Sequence, residues 1–335
     1  MRLQTKQRSK IQRLAEIALL CFGCAAICGC PAETQAKQGE IILPFPKEKG
    51  YGTLSKVVRE GLLETNAKKT PLGEAKGTIK LPADTLVFYE AGPRFFQNPR
   101  VLQGFPPESI AYIKMQFTAM EDAEEKLCDK AISSLRHLSG LRAANFDKSD
   151  TTDVGVAQLA GMPKLRAIST TETMVRGDCL KSLSSCPNLS MVRFGAIQMK
   201  NESLRYLKDL KALKRLVVNR CGIDSQGVKY IAMCPTLTQL DISNNPKISD
   251  ADVLKLKVLK RLEYVNLRDT GVTIQGIKDF AAASKVRIVM PKMLSQYTKA
   301  QRTDIDAIKG NIVFDFDHRL NDADYNTIFG TINRK

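Results

Sequence analysis

The chain has 335 residues, 43% apolar and 26% charged. That balance excludes a disordered polymer and fits one elongated array with caps or two compact domains. The net charge of +16 favours anionic partners, while dispersed basic residues, 6% aromatics and no Trp argue against nucleic-acid binding by base stacking.

In chain order, residues 1–29 come first and read as an export signal. Arg2, Lys6, Arg8, Lys10 and Arg13 against Glu16 give this segment +4, which leaves +12 of the +16 for the rest. The apolar run Ile17–Ile27 is too short to span a bilayer. It ends in Ile27-Cys28-Gly29-Cys30. This tetrad resembles the lipobox of bacterial lipoproteins: an aliphatic residue, a small residue and Gly before the Cys that is lipidated. The resemblance implies that Cys30 carries the lipid and anchors the chain to a membrane. Pro31, where an Asp would imply inner-membrane retention, points to the outer membrane or cell surface.

Residues 30–80 read as a tether, polar over 35–40 and punctuated by Pro44, Pro46, Gly50 and Gly52. Leu54, Val57, Val58 and Leu62 have helical spacing, which predicts a short helix over 54–63. Residues 78–89 read as one strand around Leu86–Tyr89. The segment 81–125 then supplies an N-terminal cap and a degenerate first turn. Within it Ile110, Ile113 and Met115 precede an acidic insertion, 121–125.

Residues 126–291 repeat. Leu141, Leu165, Leu189, Leu213, Leu237, Leu262 and Val286 are separated by 24, 24, 24, 24, 25 and 24 residues. Six residues before each stands Leu135, Leu159, Leu183, Leu207, Ile231, Leu256 or Phe280, and nine before each Ile132, Val156, Leu180, Leu204, Val228, Val253 or Ile277. Apolar residues three and five after each column Leu alternate as a short strand with one buried face. A polar turn follows, then an Asp, Asn or Ser placed to cap a short helix, as in Asp153-Val-Gly-Val156 and Asp224-Ser-Gln-Gly-Val228. Pro163, Pro187 and Pro235 stop that helix. The extra residue of the Leu237 turn falls in its loop near Pro246.

Such periodicity means a solenoid in which turns touch only their neighbours. The pattern resembles the leucine-rich-repeat family, with Cys186-Pro-Asn-Leu189, Cys234-Pro-Thr-Leu237 and Asp269-Thr-Gly-Val-Thr273 resembling its cysteine-containing (ribonuclease-inhibitor-like) and bacterial forms. Gly177 and Asn201 in place of a cap Asp, and Val286 in place of Leu, depart from it. The resemblance implies an α/β solenoid of about seven 24-residue repeats, with a curved parallel sheet on the concave face and short helices on the convex face. Residues 292–335 lose the period and read as the second cap, with an edge strand over 312–317.

No chemistry stands out. No CxxC pair exists beyond the signal. Cys186 and Cys234 are two turns apart, roughly 10 Å at ~4.8 Å per strand, too far for a disulfide. Gly92–Gly104 lacks the Lys-Ser/Thr ending of a phosphate loop, so no cofactor is implied. His137 reads as a rim residue. His318 near Asp315, Asp317, Asp322 and Asp324 reads as strand-edge charge, with no metal loop spacing. The chain therefore reads as a non-enzyme. Its candidate binding residues point out of the strands of the middle and C-terminal turns: Arg193, Arg215, Asn219, Gln239, Asp241, Tyr264, Asn266 and Arg268. These include the Arg and Tyr types enriched at interaction hot spots. The corresponding residues of the first two turns, Ala143 and Ala167, are small. The expected role is recognition of a protein or polysaccharide, anionic in character, at the cell envelope. The alternatives are a structural envelope component, or a non-catalytic subunit of an enzyme with chemistry in the flanks.

Overall fold

The apolar columns build one sheet. The computed structural model describes residues 39–63, 65–120, 124, 126–292 and 296–314, and its folded unit begins at Glu40. Four strands precede the repeats: β1 (Glu40–Pro44), β2 (Gly52–Arg59), β3 (Lys68–Glu74) and β4 (Thr78–Pro82). Ten parallel strands follow in chain order: β5 (Val87–Ala91), β6 (Tyr112–Met115), β7 (Ala143–Asn145), β8 (Ala167–Ser169), β9 (Met191–Arg193), β10 (Arg215–Val217), β11 (Gln239–Asp241), β12 (Tyr264–Asn266), β13 (Arg287–Val289) and β14 (Ile312–Phe314). β2 joins β5 antiparallel and carries β3 on its other edge, while β1 and β4 form a separate two-stranded sheet. The parallel ladder thus runs past 126–291 at both ends.

Register follows the sequence columns with one difference. Ala143, Ala167, Met191, Arg215 and Gln239 pair in succession at 24-residue steps, and Gln239 pairs with Tyr264 at 25. The extra residue lies between Asn245 and the buried Ile248. Tyr264, however, pairs with Arg287, a step of 23. The Val286 column is therefore one residue out of phase with the sheet, and Arg287 falls in line with Tyr264.

Each crossover carries a short helix, such as Asp153–Ala157, Ser225–Ile231 or Ile274–Ala283, or the 3-10 turn Asn201–Asp209. Their columns are buried completely: Val228, Ile231, Leu237, Leu240 and Ile242 are all at 0% exposure. Each such side chain contributes about 1.5–3 kcal/mol.

An acidic ladder ties turn to turn. Asp129 accepts from the amide and hydroxyl of Thr152 (2.9 and 2.6 Å), and Asp250 from those of Thr273 (2.7 and 2.6 Å). Asp153 accepts from the amides of Arg176, Gly177 and Cys179 (2.8, 3.1 and 2.8 Å). The cap of its own helix is Thr152, not Asp153 as the spacing predicts, because Asp153 is already committed to the next turn. This explains the glycine that follows in the pattern. A Cβ on Gly155, Gly227 or Gly276 would lie 2.2 Å from an oxygen of Asp129, Asn201 or Asp250. Gly227→Ala should therefore cost about 1–3 kcal/mol by overpacking, measured by denaturant unfolding. An unchanged midpoint would show that the ladder yields freely.

The N-terminal cap departs from expectation. Residues 54–63 form no helix: Thr53–Val58 lie in β2. Register shifts beside Leu54 and Val57 let Leu54 enter the main core while Val57 packs on the opposite sheet face, and so produce the three-residue spacing. Two-sided pairing and β-branched residues settle the choice. The single strand over 78–89 is two, parted by a turn in which the Thr85 amide donates to the Pro82 carbonyl at 3.0 Å. Residues 40–80, within the span read as tether, thus supply β1 to β3 and most of β4, and join in closing the core. Phe45 meets Phe105 edge-on at 4.9 Å, Tyr89 meets Phe95 at 5.7 Å, and Phe96 stacks on Phe117 at 4.7 Å.

Candidate functional site

The sheet face turned away from the helices corresponds to the concave side of a leucine-rich-repeat solenoid. Its N-terminal half is closed. Residues 60–63 and Ala67, between β2 and β3, lie over it, and Val57, Leu63, Phe88, Ala111, Tyr112, Ala143, Ala167 and Met191 form a second apolar cluster. Ala143 and Ala167 are small because this segment covers them. The Tyr112 hydroxyl donates to the Gly61 carbonyl at 2.8 Å, and Arg142 and Arg166 both pair with Glu60.

Burial alone would raise the Glu60 pKa, but hydrogen bonds from Arg142 and Arg166 outweigh it and hold the carboxyl below its ordinary range. A carboxyl lowered on folding adds stability above its unfolded pKa, and that contribution is lost as pH falls through the lowered folded value. Glu60→Gln should therefore reduce amide-exchange protection over 61–67 while global stability changes by under about 1 kcal/mol. Unaltered local protection would mean that the apolar contacts alone hold the segment.

The C-terminal half is open, and strand direction sorts the predicted residues into rows. Arg215, Gln239 and Tyr264 form a half-exposed row, joined by the exposed Arg287, which the out-of-phase column concealed. Arg287 donates to the Tyr264 hydroxyl at 3.2 Å and stacks its guanidinium 5.3 Å from that ring. Burial pushes the Arg215 pKa down. The Gln239 Oε1 is shielded from solvent without a hydrogen-bond donor among the described residues. Asn219 and Arg268 stand half-exposed in a parallel row with the buried Ser243.

Arg193, Asp241 and Asn266 differ from expectation. They point out of the strands, yet all three are buried. They are the last residues of β9, β11 and β12, and form a middle row between the Arg215 row and the residues that follow the strands, Asn219, Ser243 and Arg268. Asp241 accepts from the Ser243 amide (2.9 Å), the Ser243 hydroxyl (2.6 Å) and the Asn266 side-chain amide (3.1 Å). Asn266 accepts from the Arg268 amide at 3.1 Å, and Arg193 lies 4.0 Å from Asp147. These three residues brace the face from beneath.

Among the described residues no group of three metal-ligating side chains forms, and no helix is long and apolar enough to cross a membrane. His137 is half-buried, its Nδ1 3.1 Å from the Ser134 carbonyl. Cys128, Cys179, Cys186, Cys221 and Cys234 are free and buried. The Cys221 thiol donates to the Phe194 carbonyl at 2.7 Å, and burial pushes it up to about 12. Cys30 and the carboxylates around His318 lie outside the described residues.

Residues 234–257 match the family model described as Leucine Rich repeat. No curated protein matches the sequence. Among solved structures the chain is similar to an internalin from Listeria monocytogenes, at 16% identity over 61% of this chain and 67% of that one, with a TM-score of 0.36. It is also similar to internalin C2 of the same organism, at 18% identity over 54% of this chain and 80% of that one, with a TM-score of 0.36. The matched turn holds β11, its loop and the helix Asp250–Lys255, and the turns beside it repeat that order of strand, loop and helix. The fold is an α/β leucine-rich-repeat solenoid.

Proposed function

We propose that this protein is an exported, lipid-anchored recognition protein that binds a partner protein at the cell envelope through the open half of its sheet face. The observation that carries the reading is the row Arg215, Gln239, Tyr264 and Arg287, left uncovered beside a half that the chain closes with its own segment. Long arginine and aromatic side chains on a rigid ladder suit a docking surface. The residues at the face are Arg215, Asn219, Gln239, Tyr264, Arg268 and Arg287, with Arg193, Asp241 and Asn266 as their support. A polysaccharide fits less well, since Tyr264 is the one aromatic in the row. Export and anchoring rest on the basic and apolar segment 1–29 and on Cys30.

Two experiments test the reading. Immobilised protein should capture a partner from envelope extract, and Arg215→Glu combined with Tyr264→Ala should lower that affinity by about tenfold or more. Undiminished capture by the double variant places docking elsewhere. Labelled palmitate should enter the wild-type chain and not Cys30→Ser. Equal incorporation removes the anchor.

A further inference from the structure

The chain displays on its own sheet how that face holds a segment. Glu60 is gripped by Arg142 and Arg166, which stand one repeat apart. Beside it the Gly61 carbonyl takes a hydroxyl from Tyr112, and Leu63 packs in the cluster with Ala143 and Ala167. The open half carries its cations uncovered, with Lys214 in register with Arg142 and Arg166, and Arg215 and Arg287 in the row of Ala143 and Ala167. Lys214, Arg215, Arg268 and Arg287 line it, against the exposed carboxylate of Glu263. Neither Lys214, Arg215 nor Arg287 forms an ion pair among the described residues. Between the arginines stand the Tyr264 hydroxyl and the Gln239 amide, as Tyr112 stands beside Arg142.

We infer that the open half takes an extended acidic segment of a partner protein, with an Asp or Glu carboxylate held by Arg215 and a second by Arg287, three strands away, one carboxylate to each arginine where Glu60 sits on two. A planar guanidinium binds a carboxylate through two parallel hydrogen bonds, and a half-desolvated one gains more from that pairing than an exposed one. This deepens the docking reading above and rests on it.

The test is fluorescence anisotropy of the full chain with labelled poly-glutamate, labelled poly-lysine and labelled heparin. Poly-glutamate should bind, weaken with added salt and lose about tenfold or more in affinity to Arg215→Glu with Arg287→Glu. Lys229→Glu with Lys257→Glu, an equal charge change on the helix side, should retain it. The inference is overturned if poly-glutamate fails to bind, if heparin binds and poly-glutamate does not, or if both double variants lose affinity equally. Gln239→Trp separates this inference from its foundation, because it blocks the face without altering charge. An envelope partner lost with Gln239→Trp but kept by the two arginine reversals leaves docking intact and removes the acidic segment.

Discussion

Leu213→Asp is expected to unfold more than its own turn. Leu213 is fully buried in the column that joins neighbouring strands. The substitution removes a burial contribution of about 1.5–3 kcal/mol and places an unpaired carboxyl in an apolar core. The combined cost is about 4–6 kcal/mol. Because turns of a solenoid touch only their neighbours, damage in the middle splits the array. Amide-exchange protection should fall in the turns of Leu189 and Leu237 as well, with a lowered thermal midpoint. A midpoint equal to wild type would mean that the columns are wrongly phased.

Asn245→Ala has the second-largest expected effect. Asn245 is fully buried in the loop that follows β11. Its Oδ1 accepts from the amides of Cys221 (3.0 Å) and Ile223 (2.9 Å), and its Nδ2 donates to the carbonyls of Val218 (2.9 Å), Ile242 (2.9 Å) and Ser243 (3.1 Å). Alanine orphans two buried N–H groups at about 1–3 kcal/mol each, giving a loss of about 3–5 kcal/mol. The equivalent position of the next turn provides a comparison. Thr270 donates one bond, to the Leu267 carbonyl at 2.6 Å, so Thr270→Ala should cost only about 1 kcal/mol. Equal losses from the two variants, read from denaturant midpoints, would show that the Asn245 bonds contribute nothing beyond packing.

The repeat was legible because burial in a solenoid is periodic. Leu141 to Leu262 mark the column, and the strands form where the column places them. The recurring Gly155, Gly227 and Gly276 were legible as a pattern, though their reason, a side-chain oxygen from the previous turn, required the stack. Three features were not legible. Residues 60–63 and Ala67 cover residues 82 and 106 positions away along the chain, measured from Glu60 to Arg142 and to Arg166; local sequence carries no signal of such a contact, although the small Ala143 and Ala167 were its imprint. The burial of Arg193, Asp241 and Asn266 comes from their place between two outward rows, the second beyond the strand ends, which alternation alone does not disclose. The shift that aligns Arg287 with Tyr264 arises from a shortened turn whose apolar Val286 mimics the column.

A partner should meet the open half of the sheet face that carries Arg215, Gln239, Tyr264 and Arg287. The most direct measurement is amide-exchange footprinting of the chain with and without the captured envelope partner. Added protection should concentrate at 214–220, 238–244, 263–269 and 287, and 60–67 should remain as protected as in the free chain. Protection confined to the helix side, or release of 60–67 with the partner seated on Ala143 and Ala167, would contradict it.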